Sequence, residues 1–163
     1  MKILVTGGGC EEPLDSIRSV CNFSSGRTAA SLSEFFASKG NEVLLLMGFR
    51  CIKPEISENL KIKFFRTFRE LEKLLKNECE TGGYDAVIHA AAVSDFSPDV
   101  IELDGKKYSC GDISKIDSDC ESFVVKFRKN PKLINNIKSW CGCQTRLVGF
   151  KLTSGASFEE RFK

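Results

Sequence analysis

The sequence predicts an α/β fold in which a mostly parallel sheet carries helices on both faces. An apolar run at residues 3–5 is followed at once by three glycines, as when a buried strand ends in a turn that can approach a ligand. Further apolar runs alternate with segments of helical periodicity, and right-handed crossovers place such strands in parallel. With 163 residues and no linker, repeat or low-complexity segment, residues 1–163 are expected to form one domain.

The first half of the chain predicts two helices and three strands. After the strand at residues 3–5, residues 27–40 carry apolar side chains at helical spacing and end on a glycine, which predicts a helix. Residues 42–47 are apolar enough to form a strand buried on both faces, and residues 61–66 predict a more peripheral strand. Residues 67–79 predict a second helix with leucines on one face and charges on the other.

The second half of the chain also predicts alternating strands and helices, but an aperiodic stretch separates them. Residues 85–89 predict a buried strand, whereas residues 97–119 lack periodicity and are expected to form a flexible flap without regular structure. A strand at residues 123–127, a helix at 130–140 and a closing strand at 147–150 follow. Together the elements predict a Rossmann-like sheet.

The chain then leads into a helix that is expected to begin near Ser157.

The composition does not favour a nucleic-acid-binding, membrane or disulfide-rich protein. The 24 basic and 22 acidic residues give a charge of only +2, so net charge provides no argument for binding nucleic acid or an anionic membrane. The absence of a leader and of an 18-residue apolar run predicts a cytoplasmic protein. The eight cysteines are scattered through predicted elements, which favours reduced thiols, and the single C-x-C pair has poor spacing for zinc.

Polar residues at predicted strand ends and at a helix start indicate a nucleotide site. Ser24 and Gly26 offer a hydroxyl and backbone N–H groups at the positive end of the first helix, which suits phosphate. Asp95 can hold a hydroxyl or a divalent cation. Phe150 and Lys151, just after the last strand, could stack on a base and neutralise phosphate. The three alanines after residue 89 leave room for a ligand, although tight packing explains them equally well.

The sequence argues against other nucleotide chemistries. It lacks the G-x-x-x-x-G-K-[ST] loop of P-loop hydrolases and the Tyr-x-x-x-Lys pair of short-chain dehydrogenases, which makes an oxidoreductase the least favoured hypothesis. The only histidine, His89, ends a buried strand and is expected to be a packed residue rather than a base. What remains is chemistry by positioning and charge neutralisation, for which Arg18 and Asn22 in the long first loop are candidates.

Four stretches resemble motifs of phosphopantothenoylcysteine synthetase, the phosphopantothenate–cysteine ligase of coenzyme A biosynthesis. They are GGGCEEPLDSIRSVCNFSSGR at residues 7–27, HAAAVSDF at 89–96, KNPKLI at 129–134 and VGFKL at 148–152. The matches occur in the family's order, and the Arg-x-x-x-Asn-x-Ser-Ser-Gly pattern is long and unusual. In length and start the chain is similar to the stand-alone form, without the flavin-dependent decarboxylase domain.

The resemblance implies a reaction, its co-substrates and an assembly. An acyl-nucleotide forms from 4′-phosphopantothenate and CTP or ATP with release of pyrophosphate, and the amino group of cysteine then displaces the nucleotide. Nucleotidyl transfer of this kind also needs Mg²⁺, for which Asp95 is the candidate ligand on its residue type. Asn22 would hold the acyl-nucleotide, and Lys115 on the flap would supply positive charge. Arg18 would bind 4′-phosphopantothenate from the neighbouring subunit of a homodimer.

The resemblance also implies the remaining site residues. Gly9, Ser24 and Gly26 would bind the triphosphate, Ala91, Ala92 and Asp95 would line the site between pantothenate and nucleotide, and Phe150 would pack on the base. Lys151 is a nucleotide-binding candidate only from its position after the last strand.

This chain departs from the family pattern in three ways. Ala29 stands where a further glycine is usual, and Lys106 and Lys107 compete with Lys115 for the role of the flap lysine. Family members also continue for several tens of residues with further lysines and an Asn-Asp element. A non-catalytic nucleotide-binding or regulatory homologue therefore stays open as an alternative to an active ligase.

Overall fold

The computed structural model describes residues 1–111, 113–117 and 119–151, so the helix predicted near Ser157 lies outside the described residues. The elements, in chain order, are β1 (Lys2–Gly7), β2 (Glu11–Pro13), β3 (Ser19–Cys21), α1 (Arg27–Ser38), β4 (Glu42–Gly48), β5 (Leu60–Phe65), α2 (Phe68–Thr81), β6 (Ala86–His89), β7 (Phe96–Leu103), β8 (Lys106–Ser109), β9 (Val124–Lys129), α3 (Leu133–Cys141) and β10 (Arg146–Gly149).

A parallel sheet with the strand order β10-β6-β1-β4-β5 forms the centre of the molecule. Every neighbouring pair in it is parallel. The chain runs outward from β1 through β4 to β5 and then returns across β1 to β6, so the strand order reverses between β1 and β6. In open α/β sheets this reversal creates a crevice at the carboxyl ends of the two strands, where ligands bind. The predicted Rossmann-like sheet is confirmed.

Helices cover both faces of this sheet because β1 alternates its side chains between two cores. Ile3 and Val5 pack with Ala29 and the other buried alanines of α1 on one face. Leu4 points to the opposite face, where it packs with Leu71 of α2 and with the buried side chains of α3. This alternation follows from the two-residue period of a strand.

The prediction that residues 97–119 lack regular structure is wrong. β7 and β8 form an antiparallel hairpin in this region, and β9 pairs with the other edge of β7 to give a second sheet of three strands. The hairpin turns at Asp104 and Gly105, which have φ angles of 47° and 75°. An Asp-Gly pair with positive φ at both positions is a strong hairpin signal, and it was present in the sequence. The strand predicted at residues 123–127 exists, but it belongs to this antiparallel sheet.

The long first loop also contains regular structure. β2 and β3 pair as a short antiparallel ribbon, with Glu11 opposite Cys21. A third small core joins the turn of this ribbon to the β7–β9 sheet, and its buried members are Leu14, Ile101 and Ile116. The ribbon is therefore attached to the second sheet rather than extended into solvent.

No helix within the described ranges is long and apolar enough to cross a lipid bilayer.

Gly7 allows α1 to approach β1 closely, and its replacement provides a test of this packing. A Cβ built on Gly7 would lie 2.1 Å from the Cβ of Ala29. We expect Gly7→Ala to lower the free energy of unfolding by about 1–3 kcal/mol, because overpacking forces the neighbouring elements apart. Urea denaturation would measure the change.

The variant Ala29→Gly is the matched partner for this experiment. By itself it should cost about 1 kcal/mol, as glycine does inside a helix. In the Gly7→Ala/Ala29→Gly double variant the two methyl groups no longer meet, so the loss should be smaller than the sum of the single losses. Additive losses would show that the close contact does not control the stability of this face.

Candidate functional site

The candidate site lies where the chain continues past the carboxyl ends of β1 and β6. Gly9 and Ala92 form an isolated parallel bridge beyond the two strands. The N–H of Ala92 donates to the Gly8 carbonyl at 2.8 Å, and the N–H of Cys10 donates to the Ala92 carbonyl at 3.3 Å. The two segments therefore run side by side as a floor for the crevice, with backbone groups rather than bulky side chains at its surface.

Asn22 crosses this floor directly after β3. Its N–H donates to the Cys10 carbonyl at 3.2 Å, and its side-chain amide donates to the Val93 carbonyl at 3.5 Å. The Ser94 hydroxyl donates to Asn22 Oδ1 at 3.2 Å. A Cβ on Gly9 would lie only 1.9 Å from the Asn22 carbonyl oxygen. Gly9 is thus required so that Asn22 can pass over it, a packing reason that the sequence did not reveal.

The start of α1 presents backbone N–H groups at the same edge, and those of Gly26 and Arg27 donate to neighbouring serine hydroxyls. Its N-cap residue, Gly26, has a left-handed φ of 71° and, as a glycine, has no side chain of its own to cap the helix. The hydroxyls of Ser24 and Ser25 lie 3.4 Å from the N–H groups of Gly26 and Arg27. A helix N-terminus of this kind favours an anion through its N–H groups and its dipole. The structure places Ser24 and Gly26 where the sequence predicted them.

A buried polar pair supports the alanines after β6. The hydroxyl of Thr6 lies 2.8 Å from Nδ1 of His89 and accepts the N–H of Ala91 at 3.3 Å. Both side chains are buried. Burial lowers the pKa of His89 to about 4, so the imidazole is neutral at pH 7. His89 is a packed residue that holds Ala91 through Thr6, as the sequence led us to expect.

Asp95 lies on the segment after Ala92 and is held by residues of the KNPKLI stretch. Its backbone carbonyl accepts the N–H of Asn130 at 2.8 Å, and its carboxylate lies 2.5 Å from Nζ of Lys132. The buried amide of Asn130 also donates to the Ser94 carbonyl at 3.0 Å and to the Ser97 hydroxyl at 2.8 Å. No role was predicted for Asn130 or Lys132, although their motif was visible in the sequence.

The described residues do not form a metal site by themselves. Within residues 1–111, 113–117 and 119–151, no three His, Cys, Asp or Glu side chains are grouped so that they could hold an ion. Asp95 therefore supplies one exposed carboxylate, which fits Mg²⁺ only if substrate phosphates provide further oxygen ligands.

Phe150 and Lys151 lie at the same edge, at the end of β10. The N–H of Phe150 donates to the His89 carbonyl at 3.3 Å, so the pairing of β10 with β6 continues one residue past the strand. The Phe150 side chain is about half exposed, and Lys151 is exposed. An exposed aromatic ring beside the alanine segment is suited to stack on a planar group.

Arg18 lies on the turn of the β2–β3 ribbon, where it pairs with Asp15 at 2.7 Å and donates to the Ile116 carbonyl at 3.2 Å. Asp15 also accepts the N–H groups of Ile17, Arg18 and Ile116. These hydrogen bonds, first of all that of Ile116, hold the pKa of Asp15 well below its usual range. The hydrogen bonds of Arg18 among the described residues thus go to Asp15 and Ile116 rather than to Asn22.

Lys115 is exposed and lies next in sequence to Ile116, which donates to Asp15. Its neighbours in sequence are both anchored, because Ser114 accepts the N–H of Ser16 at 3.3 Å and Ile116 donates to Asp15 at 2.9 Å. The structure therefore brings Lys115 and Arg18 onto one unit. Lys106 and Lys107, by contrast, lie on β8 at the edge of the second sheet.

A cavity of about 430 Å³ opens beside Asn22. Its lining residues are Gly9, Cys10, Glu11, Ile17, Ser19, Cys21, Asn22, Phe23, Ser24, Phe49, Arg50, Cys51 and Arg66. Burial raises the pKa of the Cys10 thiol to about 11, so this cysteine is not a thiolate at neutral pH. The sequence interpretation missed Glu11, Arg50 and Arg66, although Arg66 ends a predicted strand and Arg50 comes shortly after another, where ligand-binding residues are to be sought.

Comparisons with known proteins identify relatives over nearly the whole chain. Residues 1–161 match the family model described as DNA/pantothenate metabolism flavoprotein C-terminal domain. The chain is 30% identical over 159 residues to the coenzyme A biosynthesis bifunctional protein CoaBC of Thermococcus kodakarensis, and the match covers 98% of this chain and 36% of that protein. The chain thus spans about a third of the length of the curated relatives that it matches.

Solved structures are also similar to this chain over nearly its whole length. The crystal structure of the DNA/pantothenate metabolism flavoprotein from Streptococcus pneumoniae is similar with a TM-score of 0.86 and 32% identity, over 98% of this chain and 73% of that chain. A Cab2 H337A mutant solved in complex with phosphopantothenate-cysteine shares the fold, with a TM-score of 0.67 and 21% identity, over 94% of this chain and 64% of that one.

The buried state of His89 predicts a specific loss of stability in acid. Its folded pKa of about 4 lies below the usual value of 6.5, so only the unfolded chain takes up a proton between these values. The stabilisation is present above about pH 6.5 and is lost as the pH falls to about 4, by about 3 kcal/mol in total.

Urea denaturation across this pH range would measure the effect. His89→Gln should flatten the dependence of the unfolding free energy on pH between about 6.5 and 4 relative to the parent chain. Because His89 is the only histidine, the difference between the two chains isolates its titration. Parallel curves for the two chains would contradict a buried neutral imidazole.

Proposed function

This chain belongs to the family of the DNA/pantothenate metabolism flavoprotein C-terminal domain, and on that premise we propose that it is a ligase that joins 4′-phosphopantothenate to cysteine. One observation carries the proposal most strongly. The amide of Asn22 is held above the backbone floor of the crevice by Val93 and Ser94, four residues before the N-cap of α1, Gly26. A carboxylate and a polyphosphate could therefore meet there with donors on both sides.

The proposed reaction has two displacement steps. A carboxylate oxygen of 4′-phosphopantothenate attacks the α-phosphorus of CTP or ATP, and pyrophosphate leaves with the electrons of the broken P–O bond. The amine nitrogen of cysteine then attacks the acyl carbon, the nucleoside monophosphate leaves, and the amine loses a proton. Neither step needs a covalent bond to the protein, which agrees with the protonated state of Cys10 and the buried, neutral state of His89.

Asn22 is proposed to hold the acyl group through both steps. An amide has a donor and an acceptor and carries no charge, so it can bind a carboxylate first and the acyl-nucleotide afterwards. The hydrogen bonds from Ser94 and to Val93 limit the orientations that the amide can adopt. Ala91 and Ala92 leave the space in front of it unfilled, since their side chains are single methyl groups.

The nucleotide is proposed to lie along the carboxyl edge from α1 to β10. Ser24 and Gly26 would bind the phosphates at the helix N-terminus, and Phe150 would pack on the base beside Lys151. Asp95 would meet Mg²⁺ as part of the magnesium–nucleotide complex. These positions place phosphates and base on opposite sides of the Gly9–Ala92 bridge.

Arg18 and Lys115 are proposed to act from the unit formed by the ribbon turn and residues 113–117. Their shared support by Asp15 means that they would approach a substrate together. We retain the proposal that the protein is a homodimer in which Arg18 of one subunit reaches the site of the other. A cytoplasmic location likewise stays a prediction.

A nucleotide panel with 4′-phosphopantothenate and cysteine tests the proposed activity. Pyrophosphate release should require the acid substrate together with CTP or ATP, and the panel would also establish which of the two is preferred. Binding of nucleotide without any release of pyrophosphate would favour the alternative of a non-catalytic or regulatory homologue.

Asn22→Asp tests the proposed role of the amide. It replaces a neutral donor by a negative charge next to the substrate carboxylate, so we expect pyrophosphate release to slow by about 100- to 1000-fold. Thermal unfolding should change little, because the Asn22 side chain is exposed. Asn77→Asp, at an exposed position of α2, is the matched control and should retain the parent rate. Equal rates for the Asn22 variant and the parent chain would remove Asn22 from this role.

A further inference from the structure

Two arginines line the cavity next to each other, where β4 and β5 end. β4 and β5 stay paired up to their ends, where Gly48 lies opposite Phe65 and the N–H of Phe49 donates to the Phe65 carbonyl at 2.9 Å. Arg50 and Arg66 follow these residues directly. Parallel strands are spaced by about 4.8 Å, so the end of β5 lies about 10 Å from the end of β1.

Both arginines are anchored on one carboxylate. Nε of Arg50 lies 3.1 Å from Glu11 Oε2, and a terminal nitrogen of Arg66 lies 2.7 Å from Oε1 of the same residue. Ser19 also donates to Glu11. Burial opposes ionisation of Glu11, but the hydrogen bonds of Arg66 and Ser19 and the arginine charges outweigh it and lower the pKa. Glu11 is therefore ionised at neutral pH and orients the two guanidinium groups.

This corner of the cavity keeps an excess of positive charge and of donors. The charged residues that line the cavity are two arginines and one glutamate. The side chains of Arg50 and Arg66 are 77% and 46% exposed, whereas that of Glu11 is only 11% exposed. Each guanidinium has five N–H donors, and the described contacts with Glu11 and Ser19 involve one nitrogen of each arginine.

The remainder of the cavity has a different chemistry. Ile17, Phe23 and Phe49 line it with apolar side chains that are 68%, 98% and 65% exposed. Asn22 lines the cavity above Gly9, and Ser24 lines it beside the segment after β4, where Cys51 Sγ donates to the Ser24 carbonyl at 3.4 Å. The cavity thus combines neutral polar groups, among them Asn22 above Gly9, with apolar side chains and with guanidinium groups at the ends of β4 and β5. A ligand that matches these groups is an acid with a carboxylate near Asn22 and a second anionic group near the arginines.

We propose that Arg50 and Arg66 bind the phosphate of the acid substrate, the end opposite to the carboxylate that Asn22 holds. This assignment rests on the proposed function and adds to it the residues that distinguish a phosphorylated acid from its dephosphorylated form. Guanidinium groups suit this task, since their planar donors match phosphate oxygens in pairs. The nucleotide then occupies the other half of the edge, towards β10.

Binding of two acids to the chain tests the assignment without requiring turnover. Calorimetry gives the dissociation constants of 4′-phosphopantothenate and of pantothenate, and their ratio measures the preference for phosphate. We expect Arg50→Gln to reduce this preference about 10- to 100-fold, the range expected for hydrogen bonds to a charged group. Arg66→Gln should act in the same direction, and Arg50→Lys should fall between Arg50→Gln and the parent chain.

The ratio separates a phosphate contact from a structural effect, because general damage to the cavity weakens both acids equally. Arg50→Gln is less disruptive to the fold than Arg66→Gln, since the Arg50 side chain is mostly exposed. Arg146→Gln is the matched control, because Arg146 begins β10 at the opposite, amino-terminal edge of the sheet. It should leave the ratio unchanged, and no variant should change the dissociation constant of CTP or ATP.

Three results would overturn the assignment. An unchanged ratio in folded Arg50→Gln and Arg66→Gln would remove the phosphate from this corner while leaving the ligase proposal intact. A loss of nucleotide affinity with an unchanged ratio would show that the arginines bind the phosphates of the nucleotide instead. Failure of the parent chain to bind 4′-phosphopantothenate at all would overturn both the assignment and the proposed function.

Discussion

The site depends on one close backbone contact, the passage of Asn22 over Gly9. β1 and β6 are parallel neighbours at the point where the strand order reverses, and the Gly9–Ala92 bridge continues their pairing past the sheet. The Asn22 carbonyl occupies the space that a side chain at position 9 would need. Any larger residue there would separate the ribbon from the floor. The amide of Asn22 would then lose its partners, Val93 and Ser94, and with them its fixed orientation.

The same contact explains why the long first loop is folded. A loop of this length could not hold one amide in place if it were unconstrained, because each ordered residue loses conformational entropy. Three sets of contacts offset this loss of entropy. β2 pairs with β3, Glu11 forms an ion pair with Arg66, and Asp15 accepts the N–H of Ile116. The second sheet is therefore structural support for the first loop.

Charge is distributed unevenly along the carboxyl edge, although the net charge of the chain is small. Arg50 and Arg66 lie at the ends of β4 and β5, the N-terminus of α1 lies near β1, and Lys151 follows β10. Positive groups thus lie on both sides of the neutral Asn22. Such an arrangement suits substrates with anionic groups at their far ends and a reaction at a carboxylate between them, because the protein supplies fixed charges rather than a nucleophile.

The sequence by itself determined the parallel sheet, the helices on its two faces and the positions of Ser24, Gly26, Asp95 and Phe150 at strand ends or at a helix start. These follow from local periodicity and from the rule that strand ends of a parallel sheet share one edge. Only the tertiary structure decided the reason for Gly9, the attachment of Arg18 to Asp15 and Ile116, and the pairing of Arg50 and Arg66 on Glu11. Each of these joins residues from separate elements, and local patterns carry no information about which distant side chains share one charge or one backbone group.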